Sequence, residues 1–137
     1  MGKGTPLKLI LFLIFGALAY YAANLDNSLR LIIGLIIGIP SFALMITSRV
    51  HLGKAFSVMP AAKGLVTSGL YSKIRHPLYF FIDFFFLSII ILIGIKWLLF
   101  IWLVLIIMQT IQSHREEKVL ADAYGAEYEK YKAGTWF

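Results

Sequence analysis

The stretch LYFFIDFFFLSIIILIGIKWLLFIWLVLIIMQTIQS, residues 78–113, decides the fold. Its only formal charges are Asp83 and Lys96, and its apolar character is interrupted once, at Gly94, Ile95 and Lys96. A helix needs about 20 apolar residues to cross about 30 Å of hydrocarbon. The stretch therefore divides into two spans, 78–95 and 97–113, with almost no loop between them. They form an antiparallel hairpin, with Trp97 at the interface, where an indole ring is well placed. Strands do not fit, because the runs are continuous rather than alternating and an isolated strand pair leaves its backbone unsatisfied in lipid.

Two more apolar runs lie upstream, at 7–23 and 31–48. Leu7 to Ala23 is too long for the core of a secretory signal, and Tyr20 and Tyr21 stand where a cleavage motif needs small residues, so this run reads as a retained span. Asn24, Asp26, Asn27 and Ser28 supply turn and capping groups, which makes the first two spans a second hairpin. Pro40 removes a backbone donor inside the second span, while Gly34 and Gly38 let a neighbouring helix approach closely. The composition agrees: 60% hydrophobic residues and 15% charged residues exceed what a soluble core of 137 residues requires.

The sequence thus specifies an all-α integral membrane protein. It has four transmembrane helices in two hairpins, one membrane domain over 1–137, and a long connection at 49–77. That connection carries Arg49, Lys54, Lys63, Lys73 and Arg75 and no acidic residue. By the positive-inside rule it is cytoplasmic, as are both termini, in agreement with Lys3 and Lys8. Residues 114–132 continue as a charged surface helix broken at Gly125, with Tyr124, Tyr128 and Tyr131 on an amphipathic face. The net charge of +6 follows the ends of the apolar runs, which fits anionic lipid headgroups and not nucleic acid. There is no cysteine, so thiolate chemistry and zinc-thiolate sites are excluded, and no metal site is expected.

Chemistry concentrates in the long loop and the tail. The loop contains LVTSGLY and then IRHPLY, in which Gly64 and Gly69 free the backbone and Pro77 opens a helix. His76, Tyr71 and Tyr79 bring an imidazole and two phenols to the bilayer boundary. In the tail, Gln109, Gln112 and Glu116 share one helical face, with Ser113 and Glu117 adjacent. A carboxylate opposite a basic loop suits a zwitterionic ligand; read alone, the same charges are a solvated helix end. Asp83 lies inside the third span, where ionisation costs roughly 2.5–3.5 kcal/mol, so it faces protein or water. Lining a cavity, carrying a proton and making an interhelical hydrogen bond all remain open for it.

In order, LVTSGLYSKIRHPLY, two apolar spans and REEKVLADAYGAEYEKY resemble the isoprenylcysteine carboxyl methyltransferase family and its phospholipid N-methyltransferase relatives. HLGKAFS resembles that family's LGRNFS segment, and the likeness covers about residues 49–132. The resemblance implies S-adenosylmethionine held by the loop and tail, and a lipid or lipid-linked acceptor arriving through the bilayer. It implies cofactor contacts from Lys63, Gly64, Leu65 and Val66, from Tyr71, and from His76, Pro77, Leu78 and Tyr79. It further implies that Glu116 meets the cofactor ammonium and forms the catalytic group with Gln112 and Arg115. Gln112, Glu117, Phe81 and Asp83 then fall on the acceptor side.

Two positions depart from the family pattern. Gln112 stands where carboxyl methyltransferases of the family carry arginine, and Arg115 is about 100° around the helix from Glu116. Phe81 stands where relatives place glycine. The tail, ending at Trp136 and Phe137, is also shorter than in many relatives. The acceptor is thus an isoprenylcysteine-like carboxylate or a lipid headgroup. A small proton-coupled transporter working through Asp83 and an inactive family member acting as a scaffold are the alternatives. The oligomeric state is not written in the sequence.

Overall fold

The computed structural model describes residues 5–56 and 61–136. Lys3, Ser57 of the HLGKAFS segment and Phe137 lie outside the described residues. The chain forms helices α1 (Thr5–Ala22), α2 (Asn27–Leu52), α3 (Pro77–Ile93), α4 (Leu98–Tyr124) and α5 (Ala126–Ala133). Short 3₁₀ turns occur at Gly53–Ala55 and Gly69–Ser72, and there is no strand among the described residues. The all-α reading therefore holds.

Two helices, α2 and α4, are long and apolar enough to cross a membrane, whereas α1 and α3 are shorter apolar helices. At 1.5 Å per residue the 26 residues of α2 reach about 39 Å and the 17 of α3 about 26 Å. The outward surface of the bundle is apolar: Ile36 is 67%, Leu13 69%, Phe100 70% and Tyr21 72% exposed. A belt of this kind is stable against hydrocarbon and costly in water. Inside it, Phe12 and Ala19 of α1, Leu87 and Ile91 of α3 and Trp102 and Ile106 of α4 form the core.

Helix α3 is central, touching α1, α2 and α4, and its longest contact is with α2. The glycines of α2 permit that contact. A Cβ at Gly38 would stand 2.7 Å from Ser88 Oγ, and one at Gly34 would stand 2.5 Å from Leu92 Cδ2 and 3.3 Å from the Ser88 carbonyl. Trp102 ties α4 to α3 by donating its indole N–H to the Asp83 carbonyl at 3.0 Å.

One end of the bundle is closed by its two tight turns. Asp26 caps α2 by accepting from the Ser28 and Leu29 amides, and Arg30 donates to the Ile93 carbonyl. Lys96 bonds Asn24, which joins the α1–α2 turn to the α3–α4 turn. Gly94, in the left-handed region at φ 76, ends α3 beside the Arg30 side chain. The long loop, the charged half of α4 and α5 gather at the opposite end.

Candidate functional site

Helix α2 stops at Gly53, whose φ of 49 turns the chain and whose N–H bonds the Arg49 carbonyl. The Arg49 guanidinium lies 4.0 Å over the Phe56 ring and holds that aromatic side chain against the helix end. The loop passes His51 again at Gly69, where φ is 60 and a Cβ would meet the His51 ring at 2.8 Å. Only glycine suits that position. Pro77 then begins α3, with His76 as the residue before it.

These segments enclose a cavity of about 90 Å³ that opens to solvent. Its apolar wall comes from Leu52, Ala55 and Phe56 at the end of α2, Leu65 and Val66 in the loop, Leu78 of α3 and Leu120 of α4. Its polar wall comes from Tyr71, Arg75, His76, Tyr79, Glu116 and Tyr131. An apolar concavity with a few convergent polar groups is the usual form of a small-molecule site.

The two adjacent glutamates of α4 have different surroundings. Glu117 is held inside the protein by Arg75 Nε at 3.0 Å, His76 Nε2 at 3.3 Å and Lys132 Nζ at 3.7 Å. Burial alone pushes its carboxyl up, but His76, Arg75 and Lys132 together outweigh burial and hold it at about 2. Glu116 instead lines the cavity. Its Oε1 accepts from the Tyr79 hydroxyl at 2.6 Å and the Gln112 amide at 3.3 Å, and His76 Nδ1 stands 3.6 Å from its Oε2. The imidazole therefore bridges the two carboxylates while its ring stacks on Tyr79, with centroids 5.9 Å apart.

Helix α5 closes the far wall. The Tyr131 hydroxyl donates to the Tyr71 carbonyl at 2.7 Å, the Trp136 amide donates to the Lys73 carbonyl at 2.8 Å, and Arg75 donates to the Thr135 hydroxyl at 3.3 Å. Burial raises the Tyr71 and Tyr128 phenols and pushes Tyr131 up to about 12, so all three remain neutral near pH 7. The tail and the loop thus form one structure around the cavity.

The sequence profile described as phospholipid methyltransferase matches residues 29–127, most of the chain and nearly all of the cavity. The chain belongs to the phospholipid methyltransferase family. That family includes the isoprenylcysteine carboxyl methyltransferases, so the resemblance read from the loop and tail motifs holds. The match begins in α2 and omits α1, the span that carries no such motif. Searches of curated proteins and of solved structures return no match.

Within this phospholipid methyltransferase fold, the cavity brings together Gly64, Leu65, Val66, Tyr71, His76, Leu78, Tyr79 and Glu116. Lys63 is exposed beside it, and Pro77 is buried as the first residue of α3. Gln112 reaches the site through its bond to Glu116. Glu117 lies behind the wall in its ion pairs, and Phe81 and Asp83 sit lower on α3, Asp83 being 1% exposed. Arg115 is exposed and lines a different surface with His114 and Lys118.

Sequence reasoning missed Leu120, Arg75 and Tyr131 as cavity residues. Arg75 could have been found as the neighbour of His76 in the motif. Leu120 carries a usable signal too, since it lies one helical turn beyond Glu116. Tyr131 reads from the sequence only as part of the amphipathic face of the tail, and its place at the cavity follows from the turn at Gly125.

Proposed function

We propose that this phospholipid methyltransferase family member is an S-adenosylmethionine-dependent enzyme that methylates a membrane-partitioned acceptor, an isoprenylcysteine-like carboxylate or a lipid headgroup. In this reading α1 to α4 are four spans in two hairpins, and the basic 49–77 loop and both termini are cytoplasmic. Arg49, Lys54, Lys63, Lys73 and Arg75 support that sidedness.

The observation that carries the proposal is the contrast between the paired carboxylates. Glu117 is neutralised by Arg75, His76 and Lys132, whereas Glu116 faces the cavity with hydrogen bonds that leave room for a ligand cation. This donor set fits S-adenosylmethionine: Glu116 for the ammonium, apolar walls at Leu65, Val66 and Leu120 for the nucleoside, and loop backbone around Gly64 for its polar edges. When bound, the cofactor supplies an electrophilic methyl group on a sulfonium.

The protein's task is alignment and the exclusion of water. Tyr79 and Gln112 fix the Glu116 carboxylate, and the stacked His76 ring stiffens the Tyr79 side. Gln112 lies one turn nearer the bilayer than Glu116 and offers a neutral amide toward the acceptor side. Phe81 and Asp83, lower on α3, would shape the route of the acceptor.

Calorimetric titration of S-adenosylhomocysteine into detergent-purified protein tests the reading. Binding to the wild type, weakened at least tenfold in Glu116→Ala and in His76→Ala, is the expected result. A folded wild type that binds no S-adenosylhomocysteine would sink the cofactor assignment.

A further inference from the structure

The charged part of α4 has a second face that the cofactor cavity does not use. His114, Lys118 and Ile111 lie roughly 140–160° around the helix from Glu116. With Thr110 and Arg115 they line a shallow open concavity. Neither Arg115 nor Lys118 joins any ion pair found among the described residues, all of which involve Glu116 or Glu117. His114 donates from Nδ1 to the Thr110 carbonyl at 2.8 Å and is exposed beside the two cations.

The same face continues toward the opposite end of the bundle as an exposed apolar stripe. Phe100, Val104, Ile107 and Ile111 are 70%, 40%, 52% and 50% exposed, so much of this stripe is open among the described residues. From Phe100 to Ile111 the stripe runs about 17 Å, close to the roughly 15 Å depth of one leaflet's hydrocarbon. Helix α4 therefore presents an apolar stripe at least one leaflet deep that ends abruptly at a pair of cations.

That is the complement of an anionic phospholipid lying lengthwise, with an acyl chain on the stripe and its phosphate at the shelf. A second copy of the chain fits less well, because a two-fold contact along this stripe would bring like charges at Arg115 and Lys118 together. We infer that Arg115 and Lys118, beside His114, form a binding site for the phosphate of an anionic phospholipid on the outer face of α4. The inference depends on α4 crossing the membrane and not on methyl transfer. A lipid held there would fix the depth of α4 and hence of Glu116 and Gln112 on its inner face.

The test is native mass spectrometry of the detergent-solubilised full chain with phosphatidylglycerol, phosphatidylcholine of matched chain length, or inorganic phosphate, together with thermal unfolding. The wild type is expected to retain phosphatidylglycerol over phosphatidylcholine and to unfold at higher temperature with it. Two lost cations should lower that retention about tenfold or more in Arg115→Gln/Lys118→Gln. Helical circular dichroism confirms that the variant is folded, and Lys130→Gln, a substitution on α5, should retain the lipid. Equal retention of the two lipids, undiminished retention in the double variant, or an equal effect of inorganic phosphate would overturn the proposal. So would disulfide trapping of a dimer through Ile111→Cys that phosphatidylglycerol does not prevent. Unchanged S-adenosylhomocysteine binding alongside any of these results separates this site from the cofactor reading.

Discussion

The Tyr79 hydroxyl donates a 2.6 Å hydrogen bond to Glu116 Oε1, joining the first turn of α3 to the charged half of α4 across the cavity wall. The two residues are 37 positions apart in sequence, with the whole α3–α4 hairpin between them. The bond orients the carboxylate without neutralising it, which is what recognition of a cationic ligand group requires. Hydrogen bonds to charged groups contribute about 1.5–3 kcal/mol, and partial exposure lowers this to ~1–2 kcal/mol. Tyr79→Phe should therefore weaken S-adenosylhomocysteine binding roughly 5–30-fold with little change in fold. Calorimetry on the variant checks this, and an unchanged affinity would mean that Glu116 is positioned by other groups.

Glu117 gives a pH dependence of stability. Its folded-state carboxyl sits at about 2 against an ordinary value of 4.5, burial being outweighed by His76, Arg75 and Lys132. A depressed carboxylate stabilises the fold above its unfolded pKa, and that stabilisation disappears as pH falls through the folded pKa. The contribution is thus complete above about pH 4.5 and declines toward about pH 2. Glu117→Gln should unfold at lower temperature than the wild type near pH 6, and the gap should narrow steadily below about pH 4.5. Thermal scans of both proteins across that range decide it; a gap independent of pH would exclude the ion pairs as its source.

The α2–α3 contact is a steric claim. A Cβ at Gly38 would meet Ser88 Oγ at 2.7 Å, and Ser88 is itself bonded to the Phe85 carbonyl and cannot swing away freely. Overpacking of this kind costs about 1–3 kcal/mol. Gly38→Val should lower the unfolding midpoint clearly, whereas Ile36→Ala, on the exposed surface of the same helix, should not. Equal effects would show that intrinsic helix preference, and not close packing, sets the result.

Some of this was legible in the sequence because it depends on local pattern. Continuous apolar runs fix helices, and Gly34 and Gly38 at a four-residue spacing mark one face whatever packs there. The loop motif marked His76 and Tyr79 as candidates, and both line the cavity, because Pro77 forces the start of α3 between them. The differing roles of Glu116 and Glu117 were not legible. They are 100° apart on one helix, and which of them meets Arg75 or the cavity depends on the rotation of α4 against α3. Tyr131 and Lys132 enter only because the chain turns at Gly125, with φ 48, and brings α5 back to the loop. Arg115, adjacent to Glu116 in sequence, lies on a different surface of α4, with His114 and Lys118.

Asp83 supplies the last prediction. It is 1% exposed in the interior of α3, and neither carboxylate oxygen completes a hydrogen bond. Lys8 of α1 acts on it electrostatically from beyond ion-pair distance, and Gln109 approaches from α4. The Lys8 ammonium also lies 5.6 Å over the Phe12 ring, so it is anchored within the bundle. A buried charge that loses a compensating charge is left exposed to the apolar interior, whereas removing both charges can be nearly neutral. Lys8→Met alone should therefore destabilise the fold by ~1–3 kcal/mol, and Lys8→Met/Asp83→Asn should be no less stable than Asp83→Asn. A coupling of at least about 1 kcal/mol in that cycle, measured by denaturant unfolding in detergent, would establish the pair as an interhelical tie. Strict additivity would mean that Lys8 does not compensate Asp83, and it would leave the carboxylate free to serve the acceptor.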